Sequence, residues 1–127
     1  MPSLGGSSGT VLCIGDEAVR LNLRCSFLKQ HGWQVLSSGS AHEGVIRFST
    51  EKVEAAIIDF GGDGAEIALI TGELKRLHPK VPVIILAPED KVLPDDIVQC
   101  ADVIVPCLDE TRLLRALESL RRDSGNA

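Results

Sequence analysis

The chain has 127 residues, 44% of them hydrophobic, the size and composition of one domain around one core. With 13 Lys and Arg against 18 Asp and Glu, and a net charge of −5, it offers no basic surface for a nucleic-acid backbone. Its longest apolar runs, such as Val81 to Ala87, fall far short of the roughly 20 residues that a membrane-crossing helix needs.

The first nine residues, Met1 to Gly9, are Gly/Ser-rich and lack the basic and apolar regions of a secretory signal, so they read as a flexible lead-in. Val11 to Ile14 then forms a short buried strand ending abruptly in Gly15-Asp16-Glu17. From Ala18 to His31, Leu21, Cys25 and Leu28 recur at helical spacing, with Leu23 and Phe27 beside them, and Gly32 supplies the stop. Trp33 to Leu36 is a second strand. Ser40 and Glu43 make a capping box ahead of Val45, Ile46 and Phe48, which opens a second helix.

Ala55 to Ile58 is a third strand ending in Asp59, and Phe60-Gly61-Gly62-Asp63-Gly64 is a tight loop. Ile67, Ile70, Leu74 and Leu77 mark one face of a third helix that stops at His78-Pro79. Val83 to Leu86 is the most buried-looking strand. A Pro-containing stretch, Ala87 to Pro94, leads into a short helix near Asp95 to Gln99. Val103 to Val105 is a fifth strand, and Asp109 caps a last helix with Leu113, Leu114, Leu117 and Leu120 on its apolar stripe and Arg121 and Arg122 at its negative end.

Five strands alternating with five helices predict an α/β fold, a three-layer αβα sandwich around a parallel sheet, because parallel strands need right-handed crossovers. Ligands of such sheets sit beyond the carboxyl ends of the strands, where the strand order switches. Those ends carry Asp16, Glu17 and Asp59. Carboxylates brought together there repel unless a cation joins them, and oxygen ligands suit Mg²⁺. The plainer reading is that Asp16 caps the first helix and Asp59 the loop after its strand.

The order of elements, the acids after Val11-Leu12-Cys13-Ile14, the Asp that ends Ala56-Ile57-Ile58-Asp59, and Pro82-Val83-Ile84-Ile85-Leu86 together resemble a response-regulator receiver domain over about Thr10 to Leu120. The resemblance implies a flavodoxin-like sheet of order 2-1-3-4-5, with the domain spanning residues 10–122 and a tail at 123–127. It implies Asp59 as phosphoacceptor and Asp16 with Asp59 as Mg²⁺ ligands, Glu17 being a neighbour outside the ligand set. A carboxylate nucleophile would attack a phosphoryl donor while the metal neutralises phosphate oxygens.

Several positions depart from the family's pattern. Gly15 stands where the pair's first acid is usual, Ala87 replaces the switch Thr or Ser, Ile104 the switch aromatic, and Cys107 the phosphate-binding Lys. The loop after Asp59 is also short, which bears on the carbonyl that completes the family's metal site.

Two signalling roles follow. One is a receiver of a two-component phosphorelay, phosphorylated by a sensor histidine kinase; the other is a pseudo-receiver, a protein-interaction module that works without phosphate. A homodimer through the last two helices and the fifth strand is an expected partner arrangement, and the location is expected to be cytoplasmic, with no membrane and no direct nucleic-acid partner. No catalytic residue is expected. A flavin or nucleotide binder has little support, because Gly61-Gly62-Asp63-Gly64 lacks the spacing of a phosphate cradle and aromatics are only 3%.

The cysteines at 13, 25, 100 and 107 contain no CxxC and no His at ligand spacing, so buried, inert thiols are expected in place of zinc ligands or a redox dithiol. Cys107 is expected to be partly buried and unreactive. Trp33 reads as a packing residue, and His31, His42 and His78 lie near helix ends.

Overall fold

The computed structural model describes residues 9–60, 64–88, 93 and 95–125, with the side chains of 96, 100 and 121–125 left out. Ten elements alternate in chain order: β1 (Gly9–Gly15), α1 (Ala18–Gln30), β2 (Trp33–Ser38), α2 (Ala41–Thr50), β3 (Ala55–Asp59), α3 (Gly64–Leu77), β4 (Val83–Ala87), α4 (Asp95–Cys100), β5 (Val103–Pro106) and α5 (Glu110–Gly125). The strands form one parallel sheet in the order β2-β1-β3-β4-β5. The expected architecture and strand order are both present.

Helix boundaries follow local chemistry. Gly32, at φ 91°, takes the left-handed conformation that ends α1, and its N–H donates to the Lys29 carbonyl. Ser40 Oγ accepts from the Glu43 N–H at 3.2 Å, as the capping box requires; the return bond runs from the Gly39 N–H to Glu43 Oε1, one residue before the cap. Asp109 Oδ1 accepts from the Arg112 N–H and so caps α5. The first helix differs from expectation. Its cap is Glu17, whose carboxylate accepts from the Val19 N–H at 2.8 Å, and Asp16 is left exposed.

The crossovers divide the helices between the two sheet faces. On one face Phe48 of α2, Ile67, Ile70 and Leu74 of α3 and Ile97 of α4 pack on Leu12, Ile14, Ala56, Ile58, Val83 and Ile85. On the other, Leu21, Cys25 and Leu28 of α1 and Leu113 and Leu117 of α5 pack on Val11, Cys13, Ala55, Ile57, Ile84 and Leu86. Residues one apart on a strand therefore alternate between layers, as a pleat demands. Val83 to Leu86 is buried throughout, and Trp33 packs into the α1–α5 layer at 4% exposure, as expected of it. Leu23, which the spacing sets beside the stripe of α1, instead faces solvent.

Candidate functional site

Between β1 and β3 the chain order of the sheet reverses, and there the carboxyl ends of the two strands lie side by side, with Gly15 opposite Asp59 in register. The alternation along β3 sends Ala55 and Ile57 to the α1–α5 layer, and Asp59, two residues on, follows them. Its carboxylate meets α1.

Two arginines of α1 receive it. Arg24 Nη1 donates to Asp59 Oδ2 at 2.9 Å, Arg20 Nε donates to the same oxygen at 3.1 Å, and Arg20 Nη2 reaches Oδ1 at 3.4 Å. Arg20 is partly open to solvent, whereas the side chains of Arg24 and Asp59 are only 7% and 6% exposed. A charge so far from water persists only when paired and hydrogen-bonded, and this pair is both. The hydrogen bond to Asp59 raises the Arg20 guanidinium above its ordinary value, against the opposing effect of burial.

Arg24 also ties two parts of the sheet edge together. Its Nη2 donates to the Cys107 carbonyl at 3.2 Å, so one guanidinium spans from the end of β3 to the loop after β5. The Cys107 N–H in turn donates to the Ala87 carbonyl at 2.9 Å. Ala87, expected at a switch position, closes β4 beside Pro106 of β5, and Ile104 is half-buried against the layer of α2, α3 and α4. Cys107 is half-buried, as expected.

Gly15 fits this arrangement sterically. A Cβ on it would come 3.0 Å from the Asp59 carbonyl oxygen, so a side chain there would press on the end of β3 that carries Asp59.

Asp59 and Gly15 are thus brought together, and Asp16, the next residue, is exposed. Among the described residues no group of three or more His, Cys, Asp or Glu side chains is placed to hold a metal ion. Among the described residues Gly15 contributes no carboxylate, and the Asp59 oxygens already accept from guanidinium groups. Mg²⁺ would have to compete with two arginines for Asp59. The short loop expected to bear on the metal's carbonyl ligand, Gly61 to Asp63, lies outside the described residues.

Sequence reasoning passed over Arg20 and Arg24. The signal was present: Leu21, Arg24, Cys25 and Leu28 occupy one helical stripe, and an arginine inside an apolar stripe needs a buried anion. A recess of about 150 Å³ beside the arginines, lined by Arg20, Leu23, Arg24, Cys107, Leu108 and Glu110, is smaller than the roughly 300–1,000 Å³ of a small-molecule pocket and does not suit a flavin.

No family model and no curated protein matches this sequence. Solved structures do. The response regulator TrrA of Thermotoga maritima, in complex with Mg²⁺ and BeF, superimposes with a TM-score of 0.77 at 19% identity, over 87% of this chain and 97% of that one. The receiver domain of a sensor histidine kinase from Pseudomonas aeruginosa, with magnesium in its active-site cleft, gives 0.77 at 17% identity, over 89% and 97%. A response-regulator receiver domain from Clostridium thermocellum gives 0.79 at 22% identity, over 91% and 96%. The fold of this chain is that of response-regulator receiver domains. No helix among the described residues is long and apolar enough to cross a membrane.

Proposed function

We propose that this chain is a receiver-type signalling module of the two-component class that works through protein contacts without a phosphate switch. One observation carries the reading: Asp59, the residue at the phosphoacceptor position, is held by Arg20 and Arg24 of its own chain. An acyl phosphate needs a carboxylate free to attack a phosphorus centre and cations free to bind the arriving oxygens. Here the cations bind the nucleophile itself. The link from Arg24 to the Cys107 carbonyl holds the β5–α5 loop to the same anchor. Val98 on α4 and Leu108 after β5 expose apolar surface, which supports pairing with a second copy or another signalling protein through α4, β5 and α5.

A phosphorelay role, with Asp59 accepting phosphate from a sensor histidine kinase, is the second reading. It is favoured by the place of Asp59 at the carboxyl end of β3, at the switch in strand order. The test is incubation of the full chain with acetyl phosphate and Mg²⁺, following intact mass beside an Asp59→Asn control. The expected result is no phosphoryl gain and no Mg²⁺-dependent change in Trp33 fluorescence. A phosphoryl group gained by the parent and absent from the control would establish the second reading instead.

A further inference from the structure

Trp33, the only tryptophan of the chain, opens β2 and is 4% exposed, yet its indole Nε1–H has no hydrogen-bond partner. A buried indole N–H ordinarily finds an acceptor, because one left unpaired keeps the full cost of its desolvation. Among the described residues Ser38 Oγ and Thr71 Oγ1 are buried and unpaired in the same way. Of these three residues, Trp33 alone borders a cavity of about 180 Å³ at the amino ends of β2, β3 and β4.

The wall of that cavity is mostly apolar. Ala55 and Pro82 line it from the sheet and Leu117 and Leu120 from α5, while its two charged residues, Glu54 and Lys80, are exposed and of opposite sign. The backbone around it is already engaged. The Glu54 N–H donates to the Thr10 carbonyl at 2.8 Å, the Ala56 N–H to the Pro82 carbonyl at 3.0 Å, and the Val81 carbonyl accepts from Lys75 Nζ at 3.3 Å. Behind the charged rim, the donor left over is the indole N–H.

These features select an occupant. A hydrocarbon-lined cavity of about 150 Å³ holds one benzene, so this one admits a single ring and is too small for a nucleotide or flavin. The charges of Glu54 and Lys80 cancel, so an ionised ligand would lose its water without a net counter-charge. The unpaired N–H calls for an acceptor oxygen, and a hydroxyl could return its own proton to the Glu54 carboxylate. We propose that this cavity is a binding site for a neutral, single-ring phenol, its ring against Trp33 and the α5 leucines and its oxygen accepting from Trp33 Nε1. Asp59 lies at the opposite end of β3, and the site does not depend on whether that residue accepts phosphate.

The test exploits the single indole, which gives one side-chain resonance in a proton–nitrogen correlation spectrum of the isotope-labelled full chain. Phenol should move that resonance downfield, as a new hydrogen bond does, and saturably, with a Kd near about 1 mM for the burial of one ring. Toluene, the same shape without the oxygen, should bind roughly tenfold more weakly and leave the indole proton without a downfield shift. Benzoate should bind more weakly than phenol. Leu120→Phe, which fills the cavity from α5, should abolish the phenol response, with circular dichroism checking its fold. Four results would overturn the proposal: an indole resonance unmoved by phenol up to about 10 mM, toluene binding as tightly as phenol, benzoate binding more tightly, or a full response in folded Leu120→Phe. If Leu120→Phe does not fold, the three ligands on the unaltered chain decide alone.

Discussion

The two faces of the sheet are built from different chemistry. The layer under α2, α3 and α4 is hydrocarbon apart from the buried hydroxyl of Thr71: Phe48, Ile67, Ile70 and Leu74 pack on the sheet's Leu12, Ile14, Ile58 and Ile85. The layer under α1 and α5 holds a buried arginine, two buried thiols and the indole of Trp33, and its edge carries Asp59. One sheet thus separates a face that supplies stability from a face that spends some of it on placed polar groups. The lesson is about location: in a fold whose strands alternate sides, a single pleat decides whether Asp59 meets apolar side chains or the arginines of α1.

The largest expected effect falls on the apolar face. Phe48→Ala should cost about 4 kcal/mol in urea unfolding, because Phe48 is fully buried and its removal leaves a cavity. Thiol reactivity and the response to Mg²⁺ should stay unchanged in the fraction that remains folded. A change in either would mean that the two faces are coupled.

Arg24→Met comes next, at about 3 kcal/mol, since it removes the buried guanidinium that donates to the buried Asp59 carboxylate. Adding Asp59→Leu should recover most of that loss, because an apolar pair of similar size needs no desolvation of charge. If the single variant unfolds at the same urea concentration as the parent, Arg24 and Asp59 are not desolvated as described. Arg20→Gln should cost under about 1 kcal/mol in the same measurement, since an ion pair with one exposed partner is screened by water.

The smallest effect is kinetic. Cys25 reacts as its thiolate, which is scarce below its ionisation midpoint and abundant above it, so alkylation of Cys25 in the folded chain should quicken as pH rises through about 7. In the unfolded chain the same rise should come later, near the ordinary thiol value of about 8.5. Coincident profiles would show that the folded surroundings do not activate Cys25.

Much of the scaffold was legible from local rules. The apolar runs marked the five strands, Gly32 stopped α1, and Ser40 and Asp109 capped their helices, because each signal acts on groups within a few residues of itself. The cap of α1 was misassigned within that same range: Asp16 and Glu17 are adjacent acids, and only the backbone geometry selects Glu17. The site itself was half legible. Asp59 and the departures at Gly15, Ala87, Ile104 and Cys107 could be located by their order along the chain, but their contacts could not.

Two contacts illustrate what was hidden. Arg24 with Asp59 and Arg24 with the Cys107 carbonyl each join elements separated by turns or whole crossovers. The sequence contained the clue of an arginine within an apolar stripe, yet named no acid for it. The wide spacing of the cysteines argued against a dithiol, and Cys13 and Cys25 are free, buried thiols.

By itself, the sequence determined the alternation of strands and helices, the parallel sheet and the placing of acids at strand ends, since periodicity and turn residues act locally. Only the tertiary structure decided what those acids touch. Parallel pairing set Gly15 opposite Asp59, the crossover brought α1 back over β1, and the pleat turned Asp59 toward it. Once those groups were withdrawn from water, charge had to meet charge, and Arg24 answers Asp59.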